Sequence, residues 1–387
     1  MNICFVHAVF PGGGAERVTR DIARGIMFQA NPGEYSFYIY TPIIRDELMT
    51  EEWGQWFAGI SNYSLANEEQ ELERLIKRDK IDIVVQITRR LVGIDRLKAK
   101  FGCKVIFADH GEPFYWRYVL PELKELRTKH PNWWKYVQKP IYTKLGFAKH
   151  KAKRLCLKDY RMCDLYTCLC EDYKYQIAKG LGIKPDAAHI VAINNSETPV
   201  DDVCYTKDKI VLFAGRFERF SKRVDRLIRI WAKAYKQLPD WKLILAGDGT
   251  ELPAIKQMVA DMKLPNVEFV GFQEDMTPLY RRASILCLTS QTEGWGLCLT
   301  EAQANGVIPI AFACTAAVKY ILSPSGENGF LVKGFNENKF AKVLVSVAQS
   351  DPEHLLKLRQ NVVKKAKDYS PEKIAAQWRK VFDDLMA

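Results

Sequence analysis

The sequence predicts an α/β protein of two domains, each built on a parallel sheet flanked by helices. Three observations predict it. The chain has 387 residues, and at about 100–200 residues per domain two domains fit best. Short apolar runs rich in Val, Ile and Phe alternate with helical periods, the pattern of βαβ units. That pattern lapses in a polar stretch, Asn194–Lys209, and restarts at Ile210. Hydrophobic residues make up 48% and charged residues 27%, which excludes a disordered or collagen-like chain. Each half is large enough to bury a core without staples.

In the first half, the strand candidates are Asn2–His7, Ser36–Tyr40, Ile81–Gln86, Lys104–Ala108, Leu165–Cys168 and Ile190–Ile193. The second half offers Ile210–Ala214, Lys242–Ala246, Val267–Val270, Ile285–Leu288, Ile308–Ala311 and Phe330–Val332. Each is a run of strand length, three to six residues, with β-branched or aromatic members. Helical periods lie between them, as in Val224–Lys236 and Glu251–Met262. The stretch Asn194–Lys209, with Pro199, Asp201 and Asp202, has no periodicity and reads as the linker. Ser370-Pro371-Glu372 sets an N-cap before a proline at the first helical position, so Pro371–Leu385 reads as a separate terminal helix. The expected division is 1–198, 199–370 and a terminal helix from 371 to 387. No repeat of 20–50 residues is visible.

A membrane span is not expected. The uncharged stretch nearest to one, Ala302–Val318, is broken by Asn305, Gly306 and Pro309, and a span needs about 20 mostly apolar residues. The N-terminus lacks the basic start of a secretory signal, so the expected location is cytoplasmic. The ten cysteines are irregularly spaced, and Cys4, Cys103, Cys168, Cys170 and Cys287 read as strand residues, which suits reduced, buried thiols. Cys156, Cys163, Cys168 and Cys170 lack the paired spacing of a zinc site and read as packing thiols.

The charge is uneven. Between Arg117 and Arg161 stand 13 Lys and Arg against Glu122, Glu125 and Asp159, so this segment carries +10 of the chain's +11. Trp133, Trp134, Tyr136, Tyr142 and Phe147 are interleaved with those cations, and Pro140 divides the region into two shorter helices. Cations with interfacial aromatics suit an anionic membrane surface, where each cation adds about 1 kcal/mol. A solvated helical hairpin packing its aromatics inward is the other reading. Single-stranded nucleic acid, which stacks bases on aromatics, is a third and is not the expectation adopted.

Four constellations bear on chemistry. Pro11-Gly12-Gly13-Gly14-Ala15-Glu16-Arg17-Val18 follows the first strand, and its glycines admit close approach of a ligand to a helix start. It matches neither a P-loop nor G-x-G-x-x-G, and a plain tight turn reads as well. Gly215-Arg216-Phe217-Glu218-Arg219-Phe220-Ser221-Lys222 follows the first strand of the second half. Strand ends are where open α/β sheets bind ligands, and here Arg216 and Lys222 present a phosphate-binding fork and a mobile ammonium; a solvated helix start with surface cations reads equally well. Glu293-Gly294-Trp295-Gly296-Leu297-Cys298-Leu299-Thr300-Glu301 joins a strand to a helix expected to begin near Gly296, where backbone N–H groups collect at a positive helix end. Glu293 and Glu301 are too far apart to serve one atom and suit an elongated ligand held at two points. His110, at a strand end in Ala108-Asp109-His110-Gly111, is the fourth: it is able to bond a hydroxyl or support developing charge, and on position alone a purely structural histidine is the more common reading.

In this order these motifs resemble the retaining GT-B glycosyltransferases of glycosyltransferase family four, closely from Ile210 to Val332 and more loosely before. Further pieces of the resemblance are Lys222-Arg223-Val224-Asp225, Leu245-Ala246-Gly247-Asp248-Gly249 with Val270-Gly271-Phe272, and two glutamates separated by seven residues. The resemblance implies two Rossmann-like domains facing a cleft, with the terminal helix crossing back to the first. It implies a donor-binding second domain in which Arg216 and Lys222 hold the diphosphate and Glu301 the ribose hydroxyls. The backbone of Gly294, Trp295, Gly296 and Leu297 would meet the distal phosphate, Glu293 the donor sugar, and Phe272 the base. Gly14 would close on the phosphate and His110 would stand by the sugar. No Asp-x-Asp triplet occurs in the chain, so neither metal nor other cofactor is expected. Fixed cations and a helix N-terminus would meet the leaving diphosphate's charge. Three departures stand out: Arg216 and Lys222 are one position further apart than is usual, Thr315-Ala316-Ala317-Val318-Lys319 lacks the usual glycines and acid, and Asn194-Asn195-Ser196 replaces Pro-Asn-Gly. The expected function is a retaining, UDP-sugar-dependent transfer of a hexose or N-acetylhexosamine to a saccharide or lipid-linked acceptor. The site of action would be the inner face of a bacterial membrane, in polysaccharide or lipopolysaccharide synthesis. A catalytically inactive protein of the same fold, acting as a membrane- or partner-binding module, is the alternative.

Overall fold

The computed structural model describes residues 1–114, 147–187 and 189–387. Most of the basic segment, including Trp133, Trp134, Lys135, Tyr136, Pro140 and Tyr142, lies outside the described residues. Contacts divide the chain into two units, Met1–Ser196 with Pro371–Ala387, and Glu197–Ser370.

The first unit is a seven-stranded sheet of β1 (Asn2–Val6), β2 (Ser36–Thr41), β3 (Gly59–Asn62), β4 (Ile83–Gln86), β5 (Lys104–Ala108), β6 (Leu165–Cys168) and β7 (Ile190–Ala192). Its order is β3-β2-β1-β4-β5-β6-β7, and every pairing is parallel. Among its described residues the helices are α1 (Gly14–Gln29), α2 (Glu51–Gly54), α3 (Glu68–Asp79), α4 (Ile94–Phe101), α5 (Phe147–Met162) and α6 (Glu171–Leu181). In the second unit β8 (Ile210–Ala214), β9 (Lys242–Ala246), β10 (Val267–Gly271), β11 (Ile285–Leu288), β12 (Ile308–Phe312) and β13 (Phe330–Val332) form a parallel sheet ordered β10-β9-β8-β11-β12-β13. Its helices are α7 (Val224–Ala234), α8 (Leu252–Asp261), α9 (Thr277–Arg282), α10 (Leu297–Ala304), α11 (Ala316–Ile321), α12 (Glu337–Ala348) and α13 (Pro352–Ala366). The terminal helix α14 (Pro371–Met386) belongs to the first unit.

Both sheets reverse direction of growth once, between β1 and β4 and between β8 and β11. Ligands of open parallel sheets bind beyond the strand ends at such a reversal. The central strands are apolar on both faces, as helices on each side require: all five residues of β8 are buried. Along α7, Val224, Leu227, Ile228, Trp231 and Ala234 are buried, the spacing of one helical face, and Trp231 is fully enclosed. On the first unit α14 buries Ile374, Ala375, Trp378 and Phe382. It lies so close to α1 that a Cβ on Gly25 would stand 2.9 Å from the Cβ of Ala375.

The structure corrects the sequence reading at a few points. β3 was not expected, because Gly59-Ile60-Ser61-Asn62 is only half-buried at the sheet edge and carries one large apolar residue. The helix expected over Val224–Lys236 ends at Ala234 and tightens into a 3-10 turn over Tyr235–Gln237. Cys103 precedes β5, and Cys170 is the N-cap of α6 rather than a strand residue. All ten cysteines are free thiols, eight of them buried.

Candidate active site

In the second unit the loops after β8, β9 and β11 are stitched together. The Gly215 and Phe217 amides donate to the Ala246 and Asp248 carbonyls at 3.0 and 2.8 Å, and the Gln291 amide donates to the Ser221 carbonyl at 2.7 Å. Gly247 adopts φ +136, and a Cβ there would overlap the Gly215 carbonyl, so only glycine lets these loops meet. Phe217 is wholly buried while Arg216 and Arg219 are exposed. The chain thus anchors by an aromatic and offers its cations outward.

Across the sheet reversal, the Lys222 ammonium donates to both oxygens of Glu293, at 2.7 and 3.0 Å, and the Ser290 hydroxyl donates to Oε1 at 2.6 Å. Glu293 is 9% exposed, not a surface carboxylate. Burial pulls the Lys222 ammonium down, but the Glu293 charge outweighs it and leaves the group above its ordinary value. Gly296, at φ +96, is the N-cap of α10. Leu297 opens the helix, and the amides of Gly294 through Leu297 precede or begin it. The Trp295 indole turns inward, edge-on to Tyr369 with ring centroids 5.4 Å apart, so the backbone is what Trp295 can offer a ligand at this turn.

Glu301 lies on α10, where the Tyr280 hydroxyl donates to its Oε2 at 2.6 Å. Phe272 follows β10 and is 76% exposed, an open aromatic face beside the β9 loop, to which it is tied by the Gly247 amide bonding the Gly271 carbonyl.

In the first unit, Gly14 is the first residue of α1 and Gly13 its N-cap. Beneath this turn the His7 ring, fully buried, meets the Thr19 hydroxyl through Nε2 at 2.9 Å and the Thr88 hydroxyl through Nδ1 at 3.3 Å. Its Nδ1 is 3.5 Å from Glu16. Burial pushes the Glu16 carboxyl up, but the hydrogen bond and charge of His7 offset this and hold it below the usual range. His110 sits past the end of β5. The neighbouring Asp109 accepts from the Gly111 amide at 3.0 Å and the Tyr166 hydroxyl at 2.7 Å, which fixes the turn that carries the imidazole.

The structure therefore brings Lys222 to Glu293 directly, with Arg216 close enough to depress the Lys222 ammonium by like charge. Gly14 and His110 lie in the other unit. Tyr280, Ser290, His7 and Thr88 were not singled out from sequence. A polar residue ending an apolar strand at the first sheet reversal was a usable signal for His7; Tyr280 and Ser290 carry none.

Residues 196–369, nearly the whole second unit, match the family described as glycosyl transferases group 1. The second unit thus resembles the group 1 glycosyl transferases. An uncharacterized glycosyltransferase of Haemophilus influenzae is 31% identical to 49% of this chain, and the match spans 54% of that relative. A Campylobacter jejuni alpha-1,4-N-acetyl-D-galactosaminyltransferase, whose name gives an undecaprenol-PP-linked saccharide, is 23% identical over 100% of this chain and 99% of its own length. Among solved structures, Anabaena Alr3699/HepE in complex with UDP and glucose superposes with a TM-score of 0.71 at 16% identity, over 99% of this chain and 100% of that one. The fold is that of the GT-B glycosyltransferases, two parallel-sheet units with the group 1 motifs on the second.

Proposed function

We propose that the protein is a retaining glycosyltransferase that moves a hexose or N-acetylhexosamine from a UDP-sugar to a saccharide or lipid-linked saccharide in cell-surface polysaccharide synthesis. The observation that carries this is the Lys222–Glu293 pair spanning the sheet reversal of a group 1 unit, with Arg216 exposed on the same loop. The UDP in the Anabaena neighbour and the lipid-linked substrate named for the Campylobacter relative support the donor and acceptor classes.

In this reading Arg216 and Lys222 hold the diphosphate, the amides from Gly294 to Leu297 meet its distal phosphate, and Glu301 takes the ribose hydroxyls. Phe272 lies against the base and Glu293 bonds the donor sugar. Gly14 approaches the phosphate, and His110 stands near the sugar on the acceptor side. The bond from the anomeric carbon to the distal phosphate oxygen breaks as the acceptor oxygen bonds to the same face. The electron pair leaves on the diphosphate, whose oxygens take the acceptor proton. Two cations and a helix N-terminus supply the countercharge without a metal, and the helix end is already in place when that charge develops. Lys222 is held by Glu293 until a diphosphate competes for it, so one ammonium serves both the resting pair and the ligand.

The acceptor reading extends to the membrane. No helix among the described residues is long and apolar enough to cross one. The basic segment 117–161 would hold the enzyme at an anionic inner leaflet, its cations and interfacial aromatics docking on the surface and not spanning it. Nucleic acid is not a partner in this reading.

Thermal unfolding with UDP, GDP, ADP and CMP, each with EDTA, tests the donor site. A ligand at 100 times its Kd stabilises by about 2.7 kcal/mol. UDP is expected to raise the Tm of the wild type and not that of Arg216→Ala/Lys222→Ala, each compared with its own ligand-free Tm. No shift with any nucleotide would leave the fold without the activity and favour the binding-module reading.

A further inference from the structure

Tyr280 is 2% exposed and spends its hydroxyl on one partner, Glu301 Oε2, at 2.6 Å. An ionised carboxylate only accepts, so the phenol is the donor. Burial and the Glu301 charge raise the Tyr280 hydroxyl well above its ordinary value, which keeps that proton in place at any working pH. The bond has a geometric consequence. The last torsion of a glutamate is broad, and nothing intrinsic fixes the plane of its carboxylate; a short hydrogen bond to one oxygen does.

The two residues come from different helices, α9 and α10, and a second device joins those helices. The Lys207 ammonium donates to the carbonyls of Tyr280 (2.9 Å) and Arg281 (3.0 Å) in the last turn of α9, and to Asn305 (2.8 Å), the C-cap of α10. Its three N–H donors meet three carbonyls, at helix ends that carry partial negative charge. Asn305 in turn donates from its side chain to the Glu301 carbonyl at 2.9 Å. Backbone and side chain of Glu301 are thus both referenced to α9.

We propose that Tyr280 is a positioning residue for nucleoside recognition, orienting the Glu301 carboxylate for the ribose hydroxyls, with Lys207 holding the two helices in register. This rests on the reading of Glu301 as the ribose ligand. An exposed, freely turning carboxylate would lose rotational freedom on meeting a diol, and that loss is subtracted from affinity. Here the plane is set before the ligand arrives.

The test compares UDP with 2′,3′-dideoxy-UDP by titration calorimetry on the full chain. In the wild type, removing both hydroxyls is expected to weaken binding roughly tenfold or more, the worth of hydrogen bonds to a charged group. Tyr280→Phe is expected to weaken UDP roughly tenfold while dideoxy-UDP stays within about twofold, because the residue acts only through the ribose. Lys207→Met keeps the hydroxyl and loosens the clamp from its other end; it is expected to shrink the same discrimination, and serves if Tyr280→Phe does not fold. Equal weakening of both nucleotides in the two variants would mean a structural role and overturn the proposal. If the wild type binds UDP but does not distinguish the dideoxy compound, the donor-site reading stands and this inference falls. If it binds no UDP, both fall.

Discussion

The Lys222–Glu293 pair illustrates how a proposed ligand site constrains stability at the level of single residues. Glu293 is almost enclosed, Lys222 retains 23% side-chain exposure, and each is the other's charge partner at 2.7 Å. Removing one member of a buried pair leaves the other desolvated and uncompensated, which costs far more than removing both. Lys222→Met is expected to destabilise the protein by on the order of 3 kcal/mol, and Lys222→Met/Glu293→Gln by clearly less, in urea unfolding without ligand. Additive losses would mean that the two side chains contribute through packing alone. The sequence pointed to both residues but to different ligand atoms, with no sign that they pair in the resting protein. Spacing along a chain places residues on loops; which two loops face each other is decided by the strand order, where β8 and β11 are neighbours only because the sheet reverses. Tyr280 was illegible for the same reason, since its meaning lies in a partner 21 positions away on another helix.

At the scale of elements, the strands were the most legible part. Buried parallel strands are continuous apolar runs, and twelve of the thirteen described were expected close to their observed bounds. The exception, β3, lies at an edge where burial no longer dictates composition. Helix ends were less legible: α7 starts where the sequence placed it, at Val224, but stops at Ala234, short of the expected Lys236. Asp225 in its first turn accepts from Arg223 at 2.8 and 2.9 Å and from Arg229 at 3.0 Å, and Arg229 reaches Glu337 on α12 at 2.9 Å. Burial raises the Asp225 carboxyl, but the two guanidinium groups outweigh it and bring it down to about 2 from 3.8. A depressed carboxylate stabilises the fold above its unfolded pKa, and the contribution is lost as pH falls through the folded one. After allowance for solvent screening at this site, where the Asp225 side chain is 27% exposed, Asp225→Asn is expected to cost about 1–2 kcal/mol at neutral pH. The gap from the wild type should close between roughly pH 4 and pH 2. A gap that does not vary with pH in urea titrations would assign the loss to geometry instead of charge.

For the whole molecule, the decisive asymmetry is that one segment of the first unit carries +10 of a total +11. A charge so concentrated does little for folding; it sets which surfaces the protein meets and how strongly salt weakens the meeting. Where the segment is described, on α5, the cations are ordered. Lys151, Arg154, Lys158 and Arg161 are exposed, while Ala152, Cys156, Asp159 and Tyr160 are buried. Steps of three and four residues put the cations on one outward stripe, and the opposite face anchors the helix, with Asp159 paired to Arg90. A solvated surface helix also turns its charged face outward; what a planar anionic surface would reward is the single sign of that face, at about 1 kcal/mol per cation. The enzyme proposed here would therefore sediment with vesicles containing anionic lipid at low salt and be released as ionic strength rises. Arg154→Glu/Lys158→Glu/Arg161→Glu should abolish sedimentation while leaving the UDP-induced Tm shift of the second unit intact. Trp133→Ala/Lys135→Ala should weaken sedimentation without abolishing it. Vesicle binding that survives the triple reversal would place the docking surface elsewhere, and equal binding to neutral vesicles would show that charge is not what this segment is for.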